Sequence, residues 1–185
     1  MEAGAIMSTE VSADIKQRAS KVKLIAFDVD GILSDGRLIL GNKGEEFKAF
    51  YTQDGQGLVM MLKAGFELAI ITGRSSNIVE QRMKELGIKH VYQGIGDKLA
   101  VLEIILEETG FTADQAAYMG DDLPDLPVIK RVGLGITVAD AHEFVQQHAD
   151  LRTQRNGGRG AVREVCDLIL DAQGLLEGIH KTYLD

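Results

Sequence analysis

The sequence is poor in cysteine: Cys166 is the only one in 185 residues. That excludes an intrachain disulfide framework and any CxxC metal or redox motif. Cys166 sits in an apolar-patterned run over 162–170, which predicts a buried, inert thiol rather than a nucleophile. Positive charge is also scarce, with Lys+Arg 20 against Asp+Glu 28 and a net charge of -8. A general nucleic-acid binder needs a basic face to displace counterions, so no nucleic-acid partner is expected. An anionic ligand must instead meet positive charge concentrated locally, on a metal ion or a few placed Lys and Arg side chains. No stretch approaches the ~18 consecutive apolar residues of a membrane span. The first ten residues contain no Lys or Arg and no apolar run long enough for a signal peptide. No membrane partner is expected, and the cytoplasm is the expected location. His90, His142, His148 and His180 form no HExxH pattern. The pairs Gly94/Gly96 and Gly133/Gly135 lack the third glycine of a dinucleotide fingerprint.

What the chain does have is regular alternation. Hydrophobic content of 45% and charged content of 26% are ordinary for a globular protein. Short apolar runs occur at 24–27, 67–71, 90–92, 116–119 and 133–138, separated by segments of helical period at 58–63, 78–86, 99–108 and 128–132. Near-continuous apolar strands alternating with helices predict a parallel sheet covered on both faces, a doubly wound α/β fold. The chain divides into a helix or mobile lead-in over 1–22, one α/β domain over 23–173, and a tail over 174–185. One segment breaks the pattern. Arg37-Leu38-Ile39-Leu40, the turn Gly41-Asn42-Lys43-Gly44 and the run 45–50 predict a β-hairpin inserted after the first strand. It is either a surface decoration or a flap over the carboxyl ends of the strands, where such sheets bind ligands. The loop Arg155-Asn156-Gly157-Gly158-Arg159-Gly160 precedes a helix over 161–172 and suits either an anion contact or a plain helix entry.

The first strand ends in Phe27-Asp28-Val29-Asp30-Gly31, which puts two carboxylates at the sheet edge. Alone this is weak, because Asp and Gly are common turn residues. The second strand ends in Ile71-Thr72-Gly73-Arg74, supplying a hydroxyl and backbone amides at the same edge. A later helix opens with Gly96-Asp97-Lys98, a cation placed against the helix dipole and so needing another reason to be there. The fourth strand ends in Met119-Gly120-Asp121-Asp122-Leu123-Pro124-Asp125, three acids in five positions. Their order and strand-end placement predict an active site. An EF-hand beginning at Asp28 fails, because Ile32 and Ile39 occupy its fifth and twelfth positions. A phospho-receiver domain is the better rival, but the third strand runs into Tyr92-Gln93-Gly94, with no acid to phosphorylate.

This ordered set over residues 24–138 resembles the haloacid dehalogenase superfamily of phosphotransferases. The run from Gly157 to Leu168, with Tyr51-Thr52-Gln53-Asp54-Gly55 and Ile71-Thr72-Gly73-Arg74, narrows the likeness to one branch, the 3-deoxy-D-manno-octulosonate 8-phosphate phosphatase family of lipopolysaccharide synthesis. A phosphatase for nine-carbon keto sugar acid 9-phosphates would have an identical core. The resemblance implies Mg²⁺ held by the side chains of Asp28 and Asp121 and the backbone carbonyl of Asp30. It implies a nucleophilic Asp28 and an acid/base Asp30, with Thr72 and Lys98 on the phosphoryl oxygens. Asp122 and Asp125 would support the metal and Lys98, or cap the helical turn at Pro124. For a sugar-acid phosphate, it implies contacts from Asp30, Thr52, Asp54, Gly55, Gly73 and Lys98. Arg74 is the first candidate for the carboxylate and Arg82 the second. At Gln53 and Val59 the chain departs from relatives that carry a basic residue. A homotetramer without a separate cap domain is implied as well.

Overall fold

The computed structural model describes residues 11–184, so the first ten residues of the expected lead-in lie outside the described residues. A short helix α1 (Ala13–Ala19) starts where the Ser12 hydroxyl caps the Ile15 amide. Strand β1 (Leu24–Phe27) follows, then a hairpin of β2 (Ile39–Leu40) and β3 (Glu46–Phe47), then α2 (Thr52–Lys63). Alternation then sets in: β4 (Glu67–Ile71), α3 (Asn77–Leu86), β5 (His90–Tyr92), α4 (Lys98–Thr109), β6 (Ala116–Met119), α5 (Leu126–Ile129) and β7 (Leu134–Thr137). The chain ends with α6 (Glu143–Gln146), β8 (Leu151–Arg152), α7 (Ala161–Ala172) and α8 (Leu176–Lys181).

The main sheet has six strands in the order β5-β4-β1-β6-β7-β8, all paired in parallel. The expected doubly wound fold is therefore present, with one strand more than the five anticipated. That strand, β8, is only Leu151–Arg152, too short to carry a readable period.

Alternate strand residues feed two cores. Ile25, Phe27, Leu68, Ile70, Ala117 and Met119 pack with α1, α2 and α7 on one face, while Leu24, Ala26, Ala69, Ile71 and Tyr118 pack with α4 and α5 on the other. Burial on both faces explains why these strands read as unbroken apolar runs. Cys166 lies fully buried in the first core, and burial pushes its thiol well above the usual range. Because successive strands go to opposite sides of central β1, the edge beyond β1 and β6 is a topological switch point.

Candidate active site

Parallel pairing brings the carboxyl ends of β1, β4 and β6 to one edge. Asp28 follows β1, Thr72 follows β4, Asp121 lies two residues beyond β6, and Lys98 is the first residue of α4. These four, with Asp30, Gly73, Arg74, Asp122 and Asp125, line one cleft of about 480 Å³. A wider groove of about 860 Å³, bordered by Phe111, Asp114 and Gly133, opens where β6 and β7 begin, away from the acids.

The Lys98 ammonium is buried between two carboxylates, 3.0 Å from Asp28 Oδ2 and 2.7 Å from Asp125 Oδ1. Burial alone would lower its pKa; the charges of Asp28 and Asp125 outweigh that, and the net direction is upward. These two carboxylates explain a cation at the first position of α4, where the helix dipole opposes it. Asp125 is the fixed point of the cluster. Its Oδ1 also accepts from the Tyr118 hydroxyl at 2.6 Å, and its Oδ2 accepts from the amides of Asp121 and Asp122 at 3.0 and 3.1 Å.

Asp28 is different. One oxygen meets Lys98, but Oδ1 is buried and has no hydrogen-bond partner among the described residues. Its carboxyl is held above the usual range, first by burial and then by Asp125, against the pull of Lys98. Asp121 is pushed up to about 7 by burial and by the charges of Asp125, Asp28 and Asp122. Gly31, at φ +92°, lets the chain turn beneath it; an ideal Cβ there would sit 2.1 Å from Asp121 Oδ2.

An orphaned carboxylate oxygen beside a second carboxyl of raised pKa marks negative charge that Lys98 alone does not offset. Asp28, Asp121 and Asp125 each offer an oxygen within 4.8 Å of the others. Asp125 is already saturated by four donors, so a hard divalent cation suits Asp28 and Asp121 better, with oxygen ligands of the kind Mg²⁺ takes. The donor set fits that ion.

The remaining expected residues divide. Thr72 is buried at the cleft. Arg74 is half exposed at its rim, with Nε 3.6 Å from Asp30 Oδ2 and Nη2 3.3 Å from Glu46 Oε1. Asp122, exposed at the cleft, accepts the Leu123 amide on its Oδ1 at 2.8 Å and so caps the helical turn.

Asp54, expected at the substrate, is instead buried beneath α7. It accepts from the amides of Gly160 and Arg163 at 3.1 and 2.8 Å. The carboxylate cancels the free amides and dipole of the helix start, and burial raises its pKa despite those bonds. The glycine-arginine loop before α7 therefore already holds an internal anion. Gly55 and Arg82 also stand away from the cleft, in a small crevice beside Phe50, Tyr51 and Asp54, and Thr52 is exposed in the first turn of α2. Within one chain these four residues are not assembled with Asp28.

Two residues that sequence reasoning missed hold the cleft's acids without lining it. Tyr118 is a β6 residue whose ring looks like core and whose hydroxyl fixes Asp125. Lys48, from the hairpin, bonds its ammonium to Asp30 Oδ1. The signal for Lys48 was present as Glu46-Phe47-Lys48, a polar–apolar–polar strand, but nothing local says which face meets the site.

Comparisons with known proteins agree with this geometry. A model of haloacid dehalogenase-like hydrolases matches residues 91–165. The 3-deoxy-D-manno-octulosonate 8-phosphate phosphatase of Escherichia coli strain K12 is 49% identical over 179 residues, 95% of this chain and 95% of that protein. A probable yrbi family phosphatase from Pseudomonas syringae pv. phaseolica 1448a superposes with a TM-score of 0.93 at 54% identity, covering 94% of this chain and 99% of that one. The corresponding phosphatase of Moraxella catarrhalis, solved in complex with magnesium ion, phosphate ion and KDO, gives a TM-score of 0.90 at 49% identity, over 92% and 98% of the two chains. With its switch-point acids, its lysine between two carboxylates and these likenesses, the chain belongs to the haloacid dehalogenase-like hydrolases, in the 3-deoxy-D-manno-octulosonate 8-phosphate phosphatase family.

Proposed function

We propose that the protein hydrolyses 3-deoxy-D-manno-octulosonate 8-phosphate to the free sugar acid and phosphate, with Mg²⁺ as cofactor and Asp28 as nucleophile. The observation that carries this is the buried, unpartnered Asp28 Oδ1 in the cleft. It is supported by 49% identity to phosphatases of that substrate. A carboxylate oxygen of Asp28 bonds to phosphorus as the ester P–O bond breaks, and the Asp30 carboxyl protonates the departing alkoxide. Water then gives its proton back to Asp30 and attacks phosphorus, breaking the Asp28–phosphorus bond and releasing phosphate. Thr72 and Lys98 hold the phosphoryl oxygens on which transition-state charge spreads. Asp28, Asp121 and the Asp30 backbone carbonyl would hold Mg²⁺, whose charge offsets the repulsion between anionic nucleophile and anionic substrate. Asp125 keeps Lys98 and the turn carrying Asp121 in place. Arg74, at the rim, would grip the substrate carboxylate through two parallel hydrogen bonds.

We also infer a homotetramer working in the cytoplasm, in lipopolysaccharide synthesis. The hairpin supports the assembly: Leu38, Ile39, Leu40 and Phe47 are each exposed, and Ile39 pairs with Phe47 across it, apolar surface of the kind that protein contacts cover. Neighbouring copies would also be the source of the sugar contacts that Thr52, Gly55 and Arg82 do not make within one chain. No described helix is long and apolar enough to cross a membrane.

Phosphate release across a panel of sugar phosphates, with Mg²⁺ and with a chelator, tests the assignment. Metal-dependent release with preference for the eight-carbon keto acid is expected. Preference for a nine-carbon acid would reassign the substrate, and silence on every ester would end the phosphatase reading.

A further inference from the structure

We propose that Lys48 is a positioning residue for this reaction, clamping one oxygen of Asp30 so that the other faces the leaving group. The proposal rests on the assignment of Asp30 as proton donor.

The hairpin delivers it. Lys48 directly follows β3 (Glu46–Phe47), and its ammonium meets the carboxylates of Asp30 and Glu46, while Phe47 keeps 58% of its surface exposed. Only 1% of the Lys48 side chain is exposed. Taking an ammonium out of water costs several kcal/mol unless it is paired. Its partners are Asp30 Oδ1 and, at 3.5 Å, Glu46 Oε1.

The two oxygens of Asp30 are treated differently. Oδ1 receives Lys48 and also the Ser34 hydroxyl at 3.3 Å. Among the described residues Oδ2 has Arg74 Nε as its ion-pair partner, at 3.6 Å, beyond normal hydrogen-bond reach. With Oδ1 held by two donors, Oδ2 is the oxygen that Asp30 turns to the cleft for proton transfer. Without Lys48 the carboxyl is free to rotate about its Cβ–Cγ bond and present either oxygen. General acid catalysis is worth ~10²–10⁴-fold, and a donor misplaced by an ångström forfeits about 10² of it. Lys48 acts through Asp30 rather than on the substrate.

A lysine that merely pins the hairpin would slow every ester alike; a lysine that aims a proton donor would not. The test is single-turnover leaving-group release by wild type, Lys48→Met, Lys48→Gln and Lys48→Arg in the Mg²⁺-loaded enzyme. The esters are the keto sugar acid phosphate and p-nitrophenyl phosphate. The alkoxide needs a proton to leave, whereas p-nitrophenolate is a stable anion and does not. Lys48→Met and Lys48→Gln should slow alcohol release ~50-fold, in keeping with loss of an oriented acid, and nitrophenolate release by less than ~3-fold. KM for the sugar phosphate should stay within about threefold, and Lys48→Arg, which keeps the charge, should recover to within ~5-fold of wild type. Equal slowing on both esters, or a change in KM alone, would overturn the proposal. A wild-type enzyme inert on all alkyl phosphates would remove the parent assignment and this one with it.

Discussion

Binding of Mg²⁺ should expel a proton, and the amount is set by Asp121. In the metal-free protein its carboxyl titrates at about 7, lifted by burial and by Asp125, Asp28 and Asp122. A carboxylate ligates a hard cation only when ionised. The fraction ionised is then ~0.1 at pH 6 and ~0.9 at pH 8, so the apparent Kd should weaken roughly tenfold between pH 8 and pH 6. Proton release per ion should rise correspondingly, from ~0.1 at pH 8 to ~0.9 at pH 6. The same shift has a consequence for stability, and its sign follows from linkage. A folded-state pKa above the unfolded value stabilises at low pH, and that contribution is lost as pH rises towards about 7. The metal-free protein therefore loses stability between pH 4 and 7, by on the order of 4 kcal/mol at most. Added Mg²⁺ should raise the melting temperature more at pH 8 than at pH 6. Calorimetric titration in two buffers of different ionisation enthalpy measures both affinity and proton release. A Kd independent of pH across this range, with no proton released, would refute the account of Asp121.

Other substitutions probe the remaining parts. Asp28→Asn should abolish phosphate release while leaving secondary structure and oligomer intact, because the amide is the same size as the carboxyl it replaces; turnover like wild type would refute the nucleophile. Arg74→Ala should raise KM for the keto-acid phosphate by ~10–100-fold, the loss of a charge-assisted carboxylate contact, and should barely change KM for p-nitrophenyl phosphate. Equal effects on both esters would remove Arg74 from carboxylate recognition. Gly157→Ala should destabilise by more than ~2 kcal/mol, since an ideal Cβ would fall 1.6 Å from the Gly31 carbonyl oxygen. An unchanged urea midpoint would show that the loop can yield.

The sheet was legible because both its faces are buried: Leu24–Phe27 and Ala116–Met119 are apolar at every position, and the turn after each carries the acids. The cluster of Asp28, Thr72, Lys98 and Asp121 was legible for the same reason, since parallel strands in one sheet put all their carboxyl ends on one edge. What stayed hidden depends on tertiary approach. Nothing local to Asp54 says that a helix start lies above it, because Gly160 and Arg163 are more than 100 positions away. Tyr118 is an aromatic in a buried strand until the turn after β6 brings Asp125 over its hydroxyl. Lys48 follows a two-residue strand, and nothing local to it says that its ammonium reaches Asp30, 18 positions earlier.

The loop before α7 ties the last third of the sequence to the chemistry without contributing a catalytic group. The amide of Gly158 donates to the Ile32 carbonyl at 2.8 Å, and Gly157 lies against the Gly31 carbonyl. The loop therefore abuts the turn that follows Asp30. Asp54 fastens the other end of the same loop by capping α7, so α2, α7 and the turn after β1 lock around one buried carboxylate. A motif rich in glycine and arginine invites an anion-binding assignment, yet here the glycines are small because backbone passes against backbone, and the anion is supplied from within. Precision at Asp28 and Asp30 is thereby set from behind by packing, and from the front by the hairpin.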